Sequence, residues 1–240
     1  MNRRQLLVLA RPTLAHAALA HAALALAAVA AIPLSACKDP AKDAPAASVG
    51  AAAIAPAPTP APAAAPSPAA AQAATYRIAP GTSRVEFTGS KVTGKHDGSF
   101  GAFGGAVVVT GGGPEAASIR VEIDMASVTT DNEKLTGHLK SPDFFDVAKF
   151  PHATFASTAI RAGADGAAGA THTITGVLDL HGVKRTVSFP ATVRIGDAAV
   201  EANAEFSLNR KDFGIVYPGM PDDLIRDLVV IRLAIRAPRA

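Results

Sequence analysis

The sequence predicts an all-β domain over residues 75–240: an eight-stranded antiparallel barrel with one short helical connection. Three observations carry this expectation. Apolar and polar residues alternate with period two along eight segments, turn-forming clusters separate those segments, and one long connection from Ser127 to Pro151 breaks the rhythm. Period-two alternation puts successive side chains on opposite faces of a strand, one face for a core and one for water. Amphipathic strands with no covering layer of helices must bury their apolar faces against one another, and a closed barrel does so without exposed edges. A two-sheet sandwich is the competing arrangement.

The segments run in order as follows. Tyr76–Thr88 and Phe100–Thr110 form the first pair, with the glycine-rich run Gly94–Gly105 expected to bend it. Ile119, Val121, Ile123 and Met125 then alternate with Arg120, Glu122 and Asp124. Beyond the long connection lie Ala153–Ile160 and Thr173–Leu180. Val187, Phe189, Ala191, Val193 and Ile195 make the next apolar face, and Val200, Ala202, Ala204, Phe206 and Leu208 the one after. Leu228–Arg236 is the eighth. Turn signals stand between them, at Gly111–Pro114, Gly163–Gly169, His181-Gly182, Gly196-Asp197 and Pro218–Pro221.

The long connection is the part expected to be helical. Thr130 or Asp131 can cap a helix through about Leu139, with Glu133 in its first turn. Ser141 as an N-cap, Pro142 at the first helical position and Asp143 at the positive end predict a second helical turn over 141–147. Phe144 and Phe145 leave that turn in two directions, so at least one should be buried. Pro151 returns the chain to extended backbone. As the one long excursion, the segment should cover an end of the barrel, with Phe144 and Phe145 as a lid.

Upstream of the domain, residues 1–36 read as a lipoprotein signal peptide. Arg3 and Arg4 precede an apolar stretch whose longest uninterrupted run, Ala22–Leu34, is too short to span a bilayer, and Leu34-Ser-Ala-Cys37 has the form of a lipobox. Cys37 is the single cysteine of the chain, so lipid attachment there accounts for a thiol that cannot form an internal disulfide. Residues 37–74 are expected to be the lipidated cysteine and an unstructured tether. Of residues 38–74, eighteen are Ala and eight Pro, and extended at about 3 Å per residue such a tether reaches about 100 Å. The expected location is a bacterial membrane, facing the periplasm, and Lys38 after the cysteine favours the outer membrane.

Composition excludes some function classes. The formal charge of +3 comes from Arg3, Arg4 and Arg11 in the signal; from Thr75 onward eighteen basic residues balance eighteen acidic ones, so nucleic acid is not an expected partner. Asp212-Phe-Gly214 spells a kinase tripeptide without the rest of a kinase. No nucleophile stands beside a base. His172 and His181 could face each other across a hairpin as a weak metal site, but the histidines form no zinc pattern. No catalytic residues, metal or cofactor are therefore expected.

An eight-stranded barrel can be filled by its own side chains or hold one small ligand. Here Ala191, Ala202, Ala204, Gly105 and Gly176 interrupt bulky inner positions and Trp is absent, which leaves room, although small residues also fit a taper or a corner.

The segment His138-Leu-Lys-Ser-Pro-Asp-Phe-Phe-Asp-Val-Ala-Lys-Phe-Pro-His-Ala-Thr-Phe155 resembles the signature of the YceI family, periplasmic lipocalin-like barrels that bind polyisoprenoid lipids. Tyr76–Phe87, Ile174–Lys184 and Leu208–Ile215 resemble further stretches of that family, so the likeness spans roughly 75–237. It implies non-catalytic binding of a long isoprenoid chain, such as a polyprenyl compound or a quinone tail, for storage or transport in the cell envelope. Alternation nominates Phe87, Phe103, Val121, Ile123, Phe144, Phe155, Leu178, Phe206 and Ile231 as ligand-lining residues. His138 is a candidate contact for a ligand head group, or else a brace for the lid. A filled barrel serving as an envelope-stress or interaction module and a lipid-modifying enzyme are the competing readings, and an exposed strand edge could pair two copies into a homodimer.

Overall fold

The alternating segments fold as the strands their period demands. The computed structural model describes residues 39–51, 73–164, 167 and 169–240. Its strands are β1 (Ser48–Ala51), β2 (Ala74–Ile78), β3 (Arg84–Ser90), β4 (Lys95–Phe100), β5 (Phe103–Val109), β6 (Ala117–Asp124), β7 (Val128–Thr130), β8 (His152–Ala162), β9 (His172–Leu180), β10 (Val183–Ile195), β11 (Ala199–Asn209), β12 (Gly219–Met220), β13 (Asp223–Leu224) and β14 (Leu228–Pro238). The helix α1 (Glu133–Lys140) lies between β7 and β8.

Twelve strands share one sheet, in the order β2-β5-β6-β8-β9-β10-β11-β14-β3-β4-β7 with β1 beside β10, while β12 and β13 form a separate hairpin. The named strand pairs are antiparallel. β2 and β3 are two stretches of one segment, so β5 on one side and β14 on the other bring the sheet back to its start. Tyr76 bridges Arg239, and the Ala240 N–H donates to the Thr75 carbonyl at 2.9 Å, which closes the curl. The barrel predicted from alternation is the observed architecture.

The strand count is a correction, twelve against eight. Tyr76–Thr88 breaks at Pro80-Gly81, where the Thr82 and Ser83 hydroxyls donate to the Arg236 carbonyl at 2.6 and 3.1 Å. β4 runs through the glycine-rich stretch expected to be a bend, and β7 through the start of the long connection.

Two glycines explain why such stretches are glycine-rich. A Cβ on Gly98 would lie 2.3 Å from the Phe87 ring it faces across the ladder, and one on Gly176 would lie 2.4 Å from the Phe155 ring. These are seats for aromatic side chains. Gly105 is likewise crowded, by the Arg120 carbonyl at 2.1 Å from a built Cβ. The expectation that Gly105 and Gly176 leave free space is therefore corrected. Gly176→Ala should cost about 1–3 kcal/mol by overpacking. A urea denaturation midpoint equal to that of the parent would show that the ring has slack.

In the long connection the helix cap lies at Asn132, one residue past Asp131 and two past Thr130. Asn132 Oδ1 accepts from the Leu135 N–H at 3.1 Å, and the Thr130 hydroxyl donates instead to the Asn132 carbonyl at 2.7 Å. Ser141 ends α1 rather than starting a second helix: its N–H and hydroxyl both donate to the His138 carbonyl, at 3.0 and 2.8 Å. Residues 141–149 follow as consecutive turns, with Asp146 at φ +44°.

The largest departure concerns the tether. β10 and β11 pair only across 192–195 and 200–203, although β10 begins at Val183 and β11 runs to Asn209. Residues 45–51 fill the gap between the diverging stretches. β1 pairs with 185–188 of β10, while Ala47 N donates to Ser207 O at 2.9 Å and Ser207 N to Pro45 O at 2.8 Å. Ala47 and Val49 pack against the core around Phe189 and Phe206, and Ala41 and Ala44 against Val230. Arg226 Nη1 donates to Asp39 at 3.2 Å. Unpaired backbone at the seam needs partners, and a small-residue strand supplies them without crowding. The expectation of an unstructured segment over 37–74 thus fails for 39–51. Cys37 and the signal peptide lie outside the described residues.

Candidate functional site: an apolar cavity inside the barrel

The inward faces of the strands do not meet. They enclose a cavity of about 440 Å³, within the range of about 300–1,000 Å³ typical of small-molecule pockets. Its middle is walled by Val85, Val121, Phe155, Leu178, Phe189, Ala202, Phe206 and Ile231. The Phe189 and Phe206 rings stack at 4.4 Å and 14°, and Phe155 tilts against Phe189 at 5.8 Å. At the floor, Ile78, Val107 and Val200 line the cavity above buried Tyr76, whose hydroxyl donates to the Gly196 carbonyl at 3.0 Å.

The opposite end is built from the long connection and the chain after β11. α1 contributes Leu135 and Leu139, the turns after it Phe144 and Phe145, and the later chain Ile215 and Ile225. Phe145 lies 6.0 Å from Phe100, and Phe100 5.7 Å from Phe87, so the lid continues into the barrel wall. Phe144 and Phe145, the adjacent pair of the signature, thus both face the cavity.

Of the ten residues nominated for ligand contact, eight line this cavity: Phe87, Val121, Ile123, Phe144, Phe155, Leu178, Phe206 and Ile231. Two do not. Phe103 pairs with Ile123, which lines the cavity, but is itself packed against the cluster around Tyr76 and Ile78. His138 does not line the cavity. Its Nε2 lies 2.9 Å from Asp143 Oδ2, and its ring stands edge-on to Phe144 at 4.9 Å and to Tyr217 at 5.0 Å. It braces the lid. Ile119, Ile160, Ile174 and Val193 line the cavity without having been nominated, though their alternation was equally visible.

The polar lining residues are Ser90, Lys91, His96 and Arg210, all at the lid end. His96 Nδ1 lies 2.9 Å from Asp131 Oδ1, and Lys91 is hydrogen-bonded to Asp223. Arg210 is only 6 % exposed, and its guanidinium donates to the carbonyls of Arg226 at 3.1 Å, Ile215 at 2.8 Å and Ile225 at 3.3 Å. Burial lowers its pKa from the usual arginine value, with Asp227 acting in the opposite sense. Among the described residues no group of three or more His, Cys, Asp or Glu is placed to hold a metal ion. The arrangement can dissolve an apolar chain and hold polar atoms at one end only.

Asp223 titrates below the ordinary carboxylate range, chiefly because Lys91 donates to it, with Thr93 contributing hydrogen bonds and partial desolvation opposing. A depressed folded-state pKa means the stabilisation is complete above the unfolded value of about 3.9 and is lost as pH falls through the folded one. The link between the β3–β4 turn and the β12–β13 hairpin should therefore hold to a pH below 3.9 and release beneath it. Carboxyl NMR titration checks this: a midpoint for Asp223 at or above the ordinary aspartate value would refute it.

A family model described as YceI-like domain matches residues 76–237. The chain belongs to the YceI family. Among curated relatives, a UPF0312 protein of Pseudomonas putida strain W619 is 37 % identical over 128 residues, covering 51 % of this chain and 65 % of that protein. Another from P. putida strain GB-1 is 36 % identical over 128 residues. The chain thus spans just under two thirds of the length of these relatives. Among solved structures, Burkholderia cenocepacia BcnA superposes with a TM-score of 0.57 at 24 % identity, covering 67 % of this chain and 99 % of that one. A polyisoprenoid binding domain from Saccharophagus degradans superposes with a TM-score of 0.54 at 18 % identity, covering 69 % and 98 %. These two share the YceI barrel fold with this chain. The family match ends one residue before β14 does, and the strand over 48–51 lies outside it.

Proposed function

We propose that this chain is a non-catalytic binder of a long apolar lipid of polyisoprenoid or isoprenoid-quinone type, serving storage or transport in the cell envelope. The apolar cavity of about 440 Å³ carries the proposal. Burying an isoprenoid needs only apolar area, at roughly 25 cal/mol per Å² before the costs of association. The polar groups gathered at the lid end suit a head group left near the opening while the tail fills the barrel. The description of the S. degradans relative as a polyisoprenoid binding domain supports the same ligand class. Export, processing before Cys37 and lipid attachment there would place the domain on a membrane facing the periplasm, the outer membrane by the sorting reading of Lys38.

The test is extraction of the purified full chain with organic solvent, followed by mass spectrometry. An isoprenoid present in near-stoichiometric amount is the expected result. A chain that carries none, and takes none up from detergent micelles loaded with a polyprenol, would overturn the reading.

A further inference from the structure

Among the described residues, the large apolar side chains that stand exposed gather in one place. Val92, Val216, Met220, Leu224 and Leu228 are between 38 % and 62 % exposed. Val216, Met220 and Leu224 come from the chain linking β11 to β14, Leu228 from the first position of β14, and Val92 from the β3–β4 turn. The two stretches are joined: Val92 N donates to Leu224 O at 3.2 Å, and Lys91 bridges Ile225. This same chain sends Ile215 and Ile225 into the cavity lining. Neighbours therefore alternate, Ile215 inward and Val216 outward, Leu224 outward and Ile225 inward. The flap carries apolar side chains on both faces, with Asp222 and Asp223 beside those on the outer one. Single exposed apolar residues are ordinary, but a contiguous group on the rim of an apolar cavity marks a contact surface.

Where the chain joins the barrel indicates what that surface meets. Asp39 receives a hydrogen bond from Arg226, which stands between Leu224 and Leu228 in sequence. Cys37 is two residues further back, a span of at most about 7 Å of chain. Acyl chains attached there, as proposed above, would leave the domain beside the exposed group rather than at the end of a long tether. The cations of the rim are already matched: Lys91 to Asp223, Arg226 to Asp39 and Lys211 to Asp227. Attraction to anionic head groups is thus weak, and apolar insertion is the available driving force.

We propose that Val92, Val216, Met220, Leu224 and Leu228 form a bilayer-docking surface that seats the cavity mouth on a membrane, so that an isoprenoid passes between bilayer and barrel beneath the flap. This rests on the cavity reading of the previous subsection.

The test uses the full chain carrying Cys37→Ser, which removes the anchor, with Met220→Cys labelled by a nitrobenzoxadiazole dye. The control label is at Asp197→Cys in the β10–β11 turn, at the floor end beside Tyr76. With phosphatidylethanolamine–phosphatidylglycerol vesicles, the dye at 220 should brighten several-fold and shift to the blue, at low and high salt alike, while the dye at 197 stays unchanged. Replacing Val216, Met220 and Leu224 together by serine should lower vesicle flotation about tenfold. Equal responses at both labels, no response at 220, or undiminished flotation of the serine variant would each overturn the proposal. Uptake of a polyprenol from detergent micelles, measured separately, reports on the cavity alone. Uptake without docking sinks only the docking surface, whereas docking without uptake sinks only the cavity reading.

Discussion

Replacing Arg210 by methionine should destabilise the domain by about 3 kcal/mol, lowering Tm by roughly 6–12 °C for a domain of this size. Methionine matches the apolar stem but takes away the donors that satisfy the carbonyls of Arg226, Ile215 and Ile225. A buried acceptor stripped of its partner costs about 1–3 kcal/mol, and here three share one guanidinium. Asp227 would not be stranded, because it is partly exposed and keeps Lys211 at 2.9 Å. The informative comparison is Arg210→Lys. An ammonium on a flexible stem cannot reproduce the planar fork, so lysine should recover less than half of the loss. If lysine were within about 0.5 kcal/mol of the parent by urea denaturation, the charge and not the fork would be what this position supplies.

Arg210 also shows where legibility in the sequence ends. The eight long segments were readable because period two is a local property: Val187, Phe189, Ala191 and Val193 declare a face without reference to any partner. The same property placed seven of the nominated residues on the cavity wall; the eighth, Phe144, comes from the turns after α1, where its burial was expected from the adjacent aromatic pair. It could not place Phe103, which packs against the cluster around Tyr76 and Ile78 although its ladder partner Ile123 lines the cavity, nor His138, which sits on a helix to which alternation does not apply. The break at Pro80-Gly81 was signalled locally and should weigh more than the continuous alternation across it. β1 had no local signal at all. Ser48–Ala51 is small, sits in an Ala/Pro-rich stretch and gains its structure only from a seam more than 130 residues downstream, as the Thr186 hydroxyl to Ala51 carbonyl bond records. Likewise Gly176 looked like slack in the wall and Gly98 like part of a bend, and they are the seats of Phe155 and Phe87. Composition reports volume, whereas only the fold reports which neighbour occupies it.

The cavity gives the second large effect. Ala202, opposite Val193 in the ladder, faces the empty centre, and Ala202→Phe should fill part of it. In a packed core such a substitution would strain its neighbours, but a ring entering empty apolar space has little to displace. Stability should therefore change by less than about 1.5 kcal/mol, while bound isoprenoid falls sharply. Excluding one five-carbon unit forfeits about 4 kcal/mol at roughly 0.8 kcal/mol per buried methylene, two to three orders of magnitude in affinity. Asn203→Phe makes the control, since residue 203 lies on the outer face of the same strand and is exposed. It adds the same ring without touching the cavity and should leave the extracted lipid unchanged. Lipid recovered from the Ala202→Phe chain in the same ratio as from the parent would mean that the ligand lies elsewhere. Loss of folding in place of loss of lipid would mean that the barrel is packed shut, the property expected of an interaction module and not of a carrier.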